Sequence, residues 1–339
     1  MRAALLHGKE DVRLENLPEP DLAEGEVRVR IGAALTCGTD LKVFRRGYHA
    51  RMLTPPCVFG HEFAGIISEV HPSVKDWKPG DRVVAANSAP CGTCPPCRRD
   101  QAHLCDDLLF LNGAYAQSIV IPARIVSVNL LHISAELSLV DAALTEPLAC
   151  VVQGIEDLHL KAGEHLAVIG AGPIGLMATA LAAHLGANVS VVGRNQTRLD
   201  AAHRLGARQV IESTGDGECP ELDRLQPDAV FEAVGKPATW EQAIRCVRKG
   251  GRVNLFGGCP SGTTVALDTT RVHYHALTLL ASFHHTPATV RKAFALIEAG
   301  VVRSREFVDG RTPLTALPEL FRSMCSGNRF VKTLVEVDL

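Results

Sequence analysis

An excess of charge of either sign is what this sequence lacks most plainly. In 339 residues, 35 lysines and arginines stand against 37 aspartates and glutamates, a formal net charge of −2. That balance excludes a chain built mainly to hold nucleic acid or an anionic membrane surface, which needs a basic excess. The opening run, Met1-Arg2-Ala3-Ala4-Leu5-Leu6-His7-Gly8-Lys9, is too poor in consecutive apolar residues to form a signal-peptide core. An unbroken apolar run of spanning length is missing as well. The one long uncharged stretch, His165 to Gly193, is interrupted by Gly170, Gly172, Pro173, Gly175 and Gly186. Internal repeats, low-complexity tracts and long linkers are also lacking. The expectation is a soluble, cytoplasmic protein without membrane or nucleic-acid partners. What remains is ordinary globular material, 46% hydrophobic and 21% charged, with length for two domains at roughly 150 residues each.

Cysteine spacing is the strongest local feature. The 11 cysteines are odd in number and no export signal accompanies them, which argues against a disulfide framework. Cys91, Cys94, Cys97 and Cys105 form one C-x2-C-x2-C-x7-C segment in which Pro90, Gly92, Pro95 and Pro96 force a tight loop. Four soft thiolates at that spacing suit tetrahedral Zn²⁺, which would fix a loop too poor in apolar residues to hold itself. With four sulfur ligands the site has no vacancy, so the role is structural. An iron–sulfur cluster is the rival. Nothing else in the chain suggests electron transfer, and zinc is the reading carried forward.

A second group mixes residue types: Thr36-Cys37-Gly38-Thr39-Asp40, then Phe59-Gly60-His61-Glu62-Phe63, then Thr145-Glu146-Pro147-Leu148. One Cys, one His and one or two carboxylates could hold a metal and leave a position for water or substrate. Asp40 suits the orientation of a ligand histidine from behind, by accepting its other ring N–H. Spacing alone leaves the bland alternatives open: Cys37 as a small buried residue, His61-Glu62 as a turn before a strand.

Around these groups the chain divides. Glu26 to Ile31 alternates with period two, and Ala64–Val70 and Asp81–Ala85 read as further short strands separated by Pro72, Pro79 and Gly80. This predicts an irregular all-β or barrel-like first domain. Near residue 150 the character changes: Val151–Leu158 reads as helix, Lys161 to Glu164 as a turn, His165–Ile169 as a buried strand. Strands and helices then alternate as in a parallel α/β sheet.

The first turn of that region is Gly170-Ala171-Gly172-Pro173-Ile174-Gly175, between the strand 165–169 and a helix expected over Leu176–Leu185. This is G-x-G-x-x-G in its required context, predicting dinucleotide binding with phosphate at the helix N-terminus. A Gly-rich turn serving only packing is the alternative. The next strand, Asn188–Val192, should end in an acid that binds the adenosine ribose. Instead Gly193 stands there, with Arg194 next and Arg198 a helical turn further on. No carboxylate repels a 2′-phosphate and a guanidinium is present to pair with it, so the pattern favours NADP(H) over NAD(H).

Taken in order, Cys37-Gly38-Thr39-Asp40, Gly60-His61-Glu62, the four-cysteine lobe, Glu146-Pro147-Leu148 and Gly170 to Gly175 resemble a zinc-containing medium-chain alcohol dehydrogenase. The resemblance spans essentially the whole chain. It is greatest to the sorbitol (polyol) and threonine dehydrogenase branch, because the late metal-site residue is Glu146 rather than a cysteine. It implies an α/β protein: a GroES-like, β-rich catalytic domain over residues 1–148, completed by about 290–339, and a doubly wound parallel-sheet Rossmann domain over 149–289. Residues 329–339, with an apolar strand over 333–337, would rejoin the first domain. Two zinc ions per chain, a homodimer or homotetramer, and a small-molecule alcohol or ketone substrate are implied too.

Carried over by position, Cys37, His61 and Glu62 would bind a catalytic zinc, with Glu146 as an alternating or water-mediated ligand. Thr39 would face the substrate hydroxyl and relay its proton, and Lys332 would meet the cofactor pyrophosphate. The zinc would act as a Lewis acid and the nicotinamide would take the hydride. The family usually has His or Tyr shortly after the Gly-[Ser/Thr]-Asp step, where this chain has Leu41-Lys42-Val43-Phe44. The expected reaction is oxidation of a secondary alcohol, polyol or sugar-derived. The alternatives are a threonine-type amino-alcohol dehydrogenase and a redox-silent nucleotide-binding protein of the same fold. A zinc-ribbon-like nucleic-acid binder is opposed by the neutral charge, with only Arg98 and Arg99 beside the lobe.

Overall fold

The computed structural model describes residues 1–49, 51–213, 219–327 and 330–337; Arg329, Asp338 and Leu339 of the expected return segment lie outside them. The chain forms two units, one of residues 1–147, 286–299 and 303–339 and the other of 148–285 and 300–302.

In the first unit the alternation at 26–31 does become a strand, Val27–Leu35, with Val27, Val29 and Ile31 at most 1% exposed and Arg30 outward. Arg28 is the polar exception. It is buried along its stem, with Nε donating to Glu69 at 3.0 Å and a terminal nitrogen donating to the Pro20 carbonyl at 2.7 Å. This strand is the hub of a seven-stranded sheet, pairing antiparallel with Glu62–Val70, Ser118–Ile121 and the C-terminal Lys332–Glu336. A three-stranded sheet of Asp11–Asn16, Arg2–Gly8 and Cys57–Val58 completes the β-rich part. Its core is not purely β. Leu317, Phe321 and Met324, from the helix Leu317–Ser326, enter it. Phe321 stacks on Phe44 at 5.4 Å and lies 5.3 Å from Phe59, and Phe59 meets Tyr115 edge-on at 5.0 Å. Such aromatic pairs contribute about 0.5–1.5 kcal/mol beyond area burial.

In the second unit six strands lie parallel in the order Gln209–Glu212, Asn188–Gly193, His165–Ile169, Ala229–Glu232, Arg252–Leu255, Thr278–Leu280. This is the doubly wound order of a dinucleotide-binding sheet. The central strands are apolar on both faces, with Leu166, Ala167, Val168, Val189 and Val191 fully buried, because helices cover both sides of such a sheet. The helix after the first strand runs Pro173–His184, three residues earlier than the apolar periodicity suggests, since proline is tolerated in a first turn. The helix expected from Val151 runs Thr145–Asp157, with Pro147 again inside the first turn. That earlier start carries Glu146 into a helix. No described helix is long and apolar enough to cross a membrane.

Candidate active site and dinucleotide turn

Strand pairing assembles the first group. Leu35 is opposite Glu62, and Leu334 is opposite Leu35, so the strands Glu62–Val70 and Lys332–Glu336 flank the hub strand where it runs out. Beyond Leu35 the backbone is tied to the C-terminal strand: the Thr36 N–H donates to the Thr333 carbonyl and the Thr333 N–H to Thr36 Oγ1, each at 3.0 Å. Cys37 then caps the helix Gly38–Arg46, its Sγ accepting from the Thr39 N–H at 3.4 Å, while Asp40 reaches back to the Cys37 N–H at 3.0 Å. The capping geometry thereby fixes a thiol and a carboxylate one turn apart. One donor atom from each of Cys37, His61 and Glu62 falls within 4.8 Å of the others.

Asp40 is 3% exposed. Its Oδ1 lies 3.1 Å from His61 Nδ1, and its Oδ2 accepts from the Tyr115 hydroxyl at 2.5 Å. Nδ1–H facing a carboxylate leaves the Nε2 lone pair for a metal, which is the tautomer a ligand histidine needs. Tyr115 is a residue that sequence reasoning missed. It is fully buried, and no local pattern links it to Asp40, 75 positions away.

Charge is concentrated here. Burial opposes a charged His61, but Asp40 and Cys37 outweigh it and hold its pKa well above 6.5. Burial pushes Glu62 up despite Lys332 beside it. Glu146, in the first turn of its helix and 6% exposed, is raised to about 7 by burial, with Glu62 repelling and His61 attracting its charge. It lies within electrostatic reach of His61 and Glu62, but outside the tight three-residue group. Lys332 is 1% exposed, its ammonium donating to Glu62 and, at 3.0 Å, to the Thr36 carbonyl. Its position on the returning strand, next to Thr36, explains that pairing. Thr39 is half-buried, and no hydrogen bond of its hydroxyl is found among the described residues. Lys42 lies exposed on the helix.

These residues fit a metal ion. Glu62 is wholly buried and its Oε1 has no hydrogen-bond partner, although Oε2 is taken by Lys332. A bare carboxylate oxygen so placed, beside a thiol and an imidazole, is costly unless a cation completes it. The soft and borderline donors are those zinc prefers.

The four-cysteine lobe also closes on itself. Cys94 Sγ lies 3.4 Å from Cys97 Sγ and 3.7 Å from Cys105 Sγ, and all four sulfurs fall within 4.8 Å. Disulfide sulfurs would be about 2.05 Å apart. The edge of a zinc–thiolate tetrahedron with Zn–S of about 2.3 Å is ~3.8 Å. N–H groups point at the sulfurs, Cys91 donating to Cys105 at 3.2 Å and Thr93 to Cys91 at 3.5 Å. Donation from Thr93 draws Cys91 down to about 6, while burial, with Cys94 beside it, pushes Cys97 up to about 12. Four thiols crowded without a cation cannot all ionise; a dication removes that conflict.

In the second unit the Gly-rich turn has the anatomy that phosphate binding requires. Gly170 has φ 112°, which excludes a side chain, and a Cβ on Gly175 would lie 1.8 Å from the Gly170 carbonyl oxygen. A Cβ on Gly172, by contrast, would meet nothing within 4 Å, so the N-terminus of the helix Pro173–His184 stands open to a ligand. Ile174 follows in the helix's first turn. Gly193 ends its strand against this turn, where a Cβ would come within 2.8 Å of the Ala171 methyl and 3.0 Å of Leu199. Arg194 is exposed, and Arg198 is half-buried in the first turn of the following helix, whose N-cap is Asn195.

The two units thus carry a thiol–imidazole–carboxylate group, its imidazole and carboxylate buried, and a dinucleotide turn, the parts of a metal-dependent nicotinamide oxidoreductase. Residues 23–130 match the family of the alcohol dehydrogenase GroES-like domain, and residues 173–299 match the family of the zinc-binding dehydrogenase. The chain is 32% identical to an L-threonine 3-dehydrogenase of Bacillus velezensis, over 93% of this chain and 92% of that protein. It is 33% identical to a D-altritol 5-dehydrogenase of Agrobacterium fabrum, over 91% of both chains. A structure from Sinorhizobium meliloti, described as a zinc-binding dehydrogenase bound to NADP, superposes with a TM-score of 0.90 at 29% identity, covering 99% of this chain and 98% of its own. The chain belongs to the zinc-containing medium-chain alcohol dehydrogenases, in their polyol and threonine dehydrogenase branch, and is an oxidoreductase acting on CH–OH groups.

Proposed function

We propose that this enzyme prefers NADP(H) and oxidises, reversibly, a secondary alcohol of a polyol or sugar-derived substrate. The observation that carries the cofactor preference is the strand end at Gly193. Ala171 and Leu199 fill the space that an acidic side chain would occupy, and Arg194 follows directly. An acid there would bind the ribose 2′-hydroxyl and repel a 2′-phosphate, whereas a guanidinium pairs with it. The NADP-bound Sinorhizobium structure supports the same reading, and the D-altritol 5-dehydrogenase supports a polyol.

Cys37, His61 and Glu62 would hold one zinc, with Glu146 as an alternating or water-mediated ligand, and Cys91, Cys94, Cys97 and Cys105 a second, structural one. The catalytic zinc supplies Lewis acidity that brings an alcohol's pKa toward neutrality, and the nicotinamide accepts the hydride. The chain's own residues do the rest. Asp40 holds His61 in its ligand tautomer, Lys332 balances the Glu62 charge, and the Thr39 hydroxyl receives the substrate's proton and passes it to water. Gly170 makes the tight turn, Gly172 lets the backbone approach the pyrophosphate and Gly175 lets the helix pack on the strand, with Pro173 and Ile174 opening the helix, and Arg198 flanks Arg194. The strand Thr278–Leu280 ends its sheet, and no described strand pairs with its outer edge, which supports self-association as a homodimer or homotetramer.

The test is a fluorescence titration of zinc-loaded enzyme with NADPH and NADH, followed by rates on a panel of pentitols, hexitols and L-threonine. Tighter NADPH binding with polyol turnover is expected. Tighter NADH binding overturns the cofactor preference. Turnover of threonine alone overturns the substrate class.

A further inference from the structure

The loop after the helix Gly38–Arg46 carries a histidine that no zinc ligand set uses. Gly47 ends the helix in the left-handed conformation, at φ 82°, and the chain then forms an isolated bridge between His49 and Leu53. His49 Nδ1 accepts two backbone N–H groups, from Arg51 at 3.2 Å and from Met52 at 3.1 Å. Asn112 in turn donates to the Met52 carbonyl at 2.9 Å, tying the loop to the body of its unit.

This arrangement fixes the tautomer. A ring nitrogen that accepts two N–H donors cannot carry a proton, so the proton sits on Nε2, at the far edge of the ring. Taking up a second proton would place it on Nδ1, facing both donors. The surroundings act in the same direction: burial first, then His61 where no metal occupies its ring nitrogen, and the positive charges of Arg46 and Arg51 keep His49 below its ordinary pKa. The His61 contribution also puts the ring within electrostatic reach of the Cys37–His61–Glu62 group. The ring is half-buried, leaving it accessible to a bound molecule. A donor whose other ring nitrogen is already occupied as an acceptor is unsuited to relay a proton, and well suited to hold a hydroxyl oxygen.

We propose that His49 is a specificity-determining residue, whose Nε2–H donates to a hydroxyl of the bound polyol other than the one being oxidised. The assignment rests on the polyol reading above. It explains selection among alcohols, because a donor fixed on its loop discriminates by the presence and placement of a second oxygen.

His49→Asn separates this role from a structural one. Its Oδ1 can take the place of Nδ1 as acceptor for the Arg51 and Met52 N–H groups, while no donor reaches the former Nε2 position. His49→Gln places an amide N–H near Nε2 instead. Each variant is measured, zinc-loaded and with NADP⁺, on the pentitol or hexitol that wild type oxidises best and on 2-butanol. The expected result is a KM for the polyol raised about tenfold in His49→Asn, the net worth of one hydrogen bond, with kcat within about twofold. The polyol-to-butanol ratio of kcat/KM falls by the same factor, and His49→Gln recovers most of it. An unchanged polyol KM, or equal loss on polyol and butanol, overturns the assignment. A wild type that turns over butanol but no polyol overturns the substrate reading and the assignment with it.

Discussion

Glu232 is wholly buried at the end of the strand Ala229–Glu232, and the sequence gives no sign of its importance. Its Oε1 accepts three donors: the N–H of Val234 at 2.9 Å, the N–H of Gly235 at 3.0 Å and the Thr239 hydroxyl at 2.7 Å. Its Oε2 is buried with no partner. The turn it pins lies against the dinucleotide turn, since a Cβ on Gly170 would come within 2.9 Å of Val234 Cγ2. Glu232→Ala removes an acceptor from three donors at about 1 kcal/mol each, about 3 kcal/mol in total. At roughly 2–4 °C per kcal/mol for a unit of this size, the Tm falls by about 6–12 °C. Glu232→Gln keeps a carbonyl at Oε1 and replaces the partnerless oxygen with an uncharged amide, so at neutral pH it stays within about 1 kcal/mol of wild type.

The two variants also differ with pH. Burial raises the Glu232 pKa above 4.5 against the lowering effect of Thr239, Gly235 and Val234. The native state therefore holds this proton at pH values where the unfolded chain has released it. Its contribution to stability is fully present below pH 4.5 and is lost as pH rises through the raised native value. Wild type accordingly loses stability relative to Glu232→Gln as pH climbs through that window. Calorimetry from pH 4 to 8, with NADPH titrations on the same samples, measures both effects, and weaker NADPH binding is expected in Glu232→Ala alone. Equal melting of the Ala and Gln variants, or a wild-type-to-Gln difference independent of pH, refutes the reasoning.

Other perturbations have equally definite outcomes. Gly175→Ala places a Cβ 1.8 Å from the Gly170 carbonyl oxygen, so cofactor binding is lost in a fluorescence titration and the Tm drops. Arg194→Ala removes a charge-assisted pair worth about 1.5–3 kcal/mol, weakening NADPH roughly 10–100-fold and leaving NADH within about twofold. Asp40→Asn removes the carboxylate 3.1 Å from His61 Nδ1, and zinc affinity measured by chelator competition falls roughly 10–100-fold. Cys97→Ser lowers metal content by one ion per chain in elemental analysis and lowers the Tm, while Cys37→Ser lowers metal content and abolishes turnover.

The sequence by itself determined what depends on short spacing. The four cysteines span 15 residues, so their loop can close on one ion whatever the rest of the chain does. The Gly-rich turn needs only its strand and helix, both written in the adjacent periodicity, and family membership follows from the order of these local motifs. What the tertiary structure decided is which distant groups share a buried space. Tyr115 reaches Asp40 because Phe59 and Phe321 pack around it, and no local period encodes that. Lys332 pairs with Glu62 because the returning strand lies beside the hub strand. His49 acquires a fixed tautomer from two N–H groups on its own loop, a fact of backbone conformation that residue identity does not carry. Glu232 likewise becomes important only when the strand end, the following turn and Thr239 are folded around one oxygen. A buried charge or hydrogen bond is a property of its surroundings, and those are assembled by pairing and packing across tens to hundreds of residues.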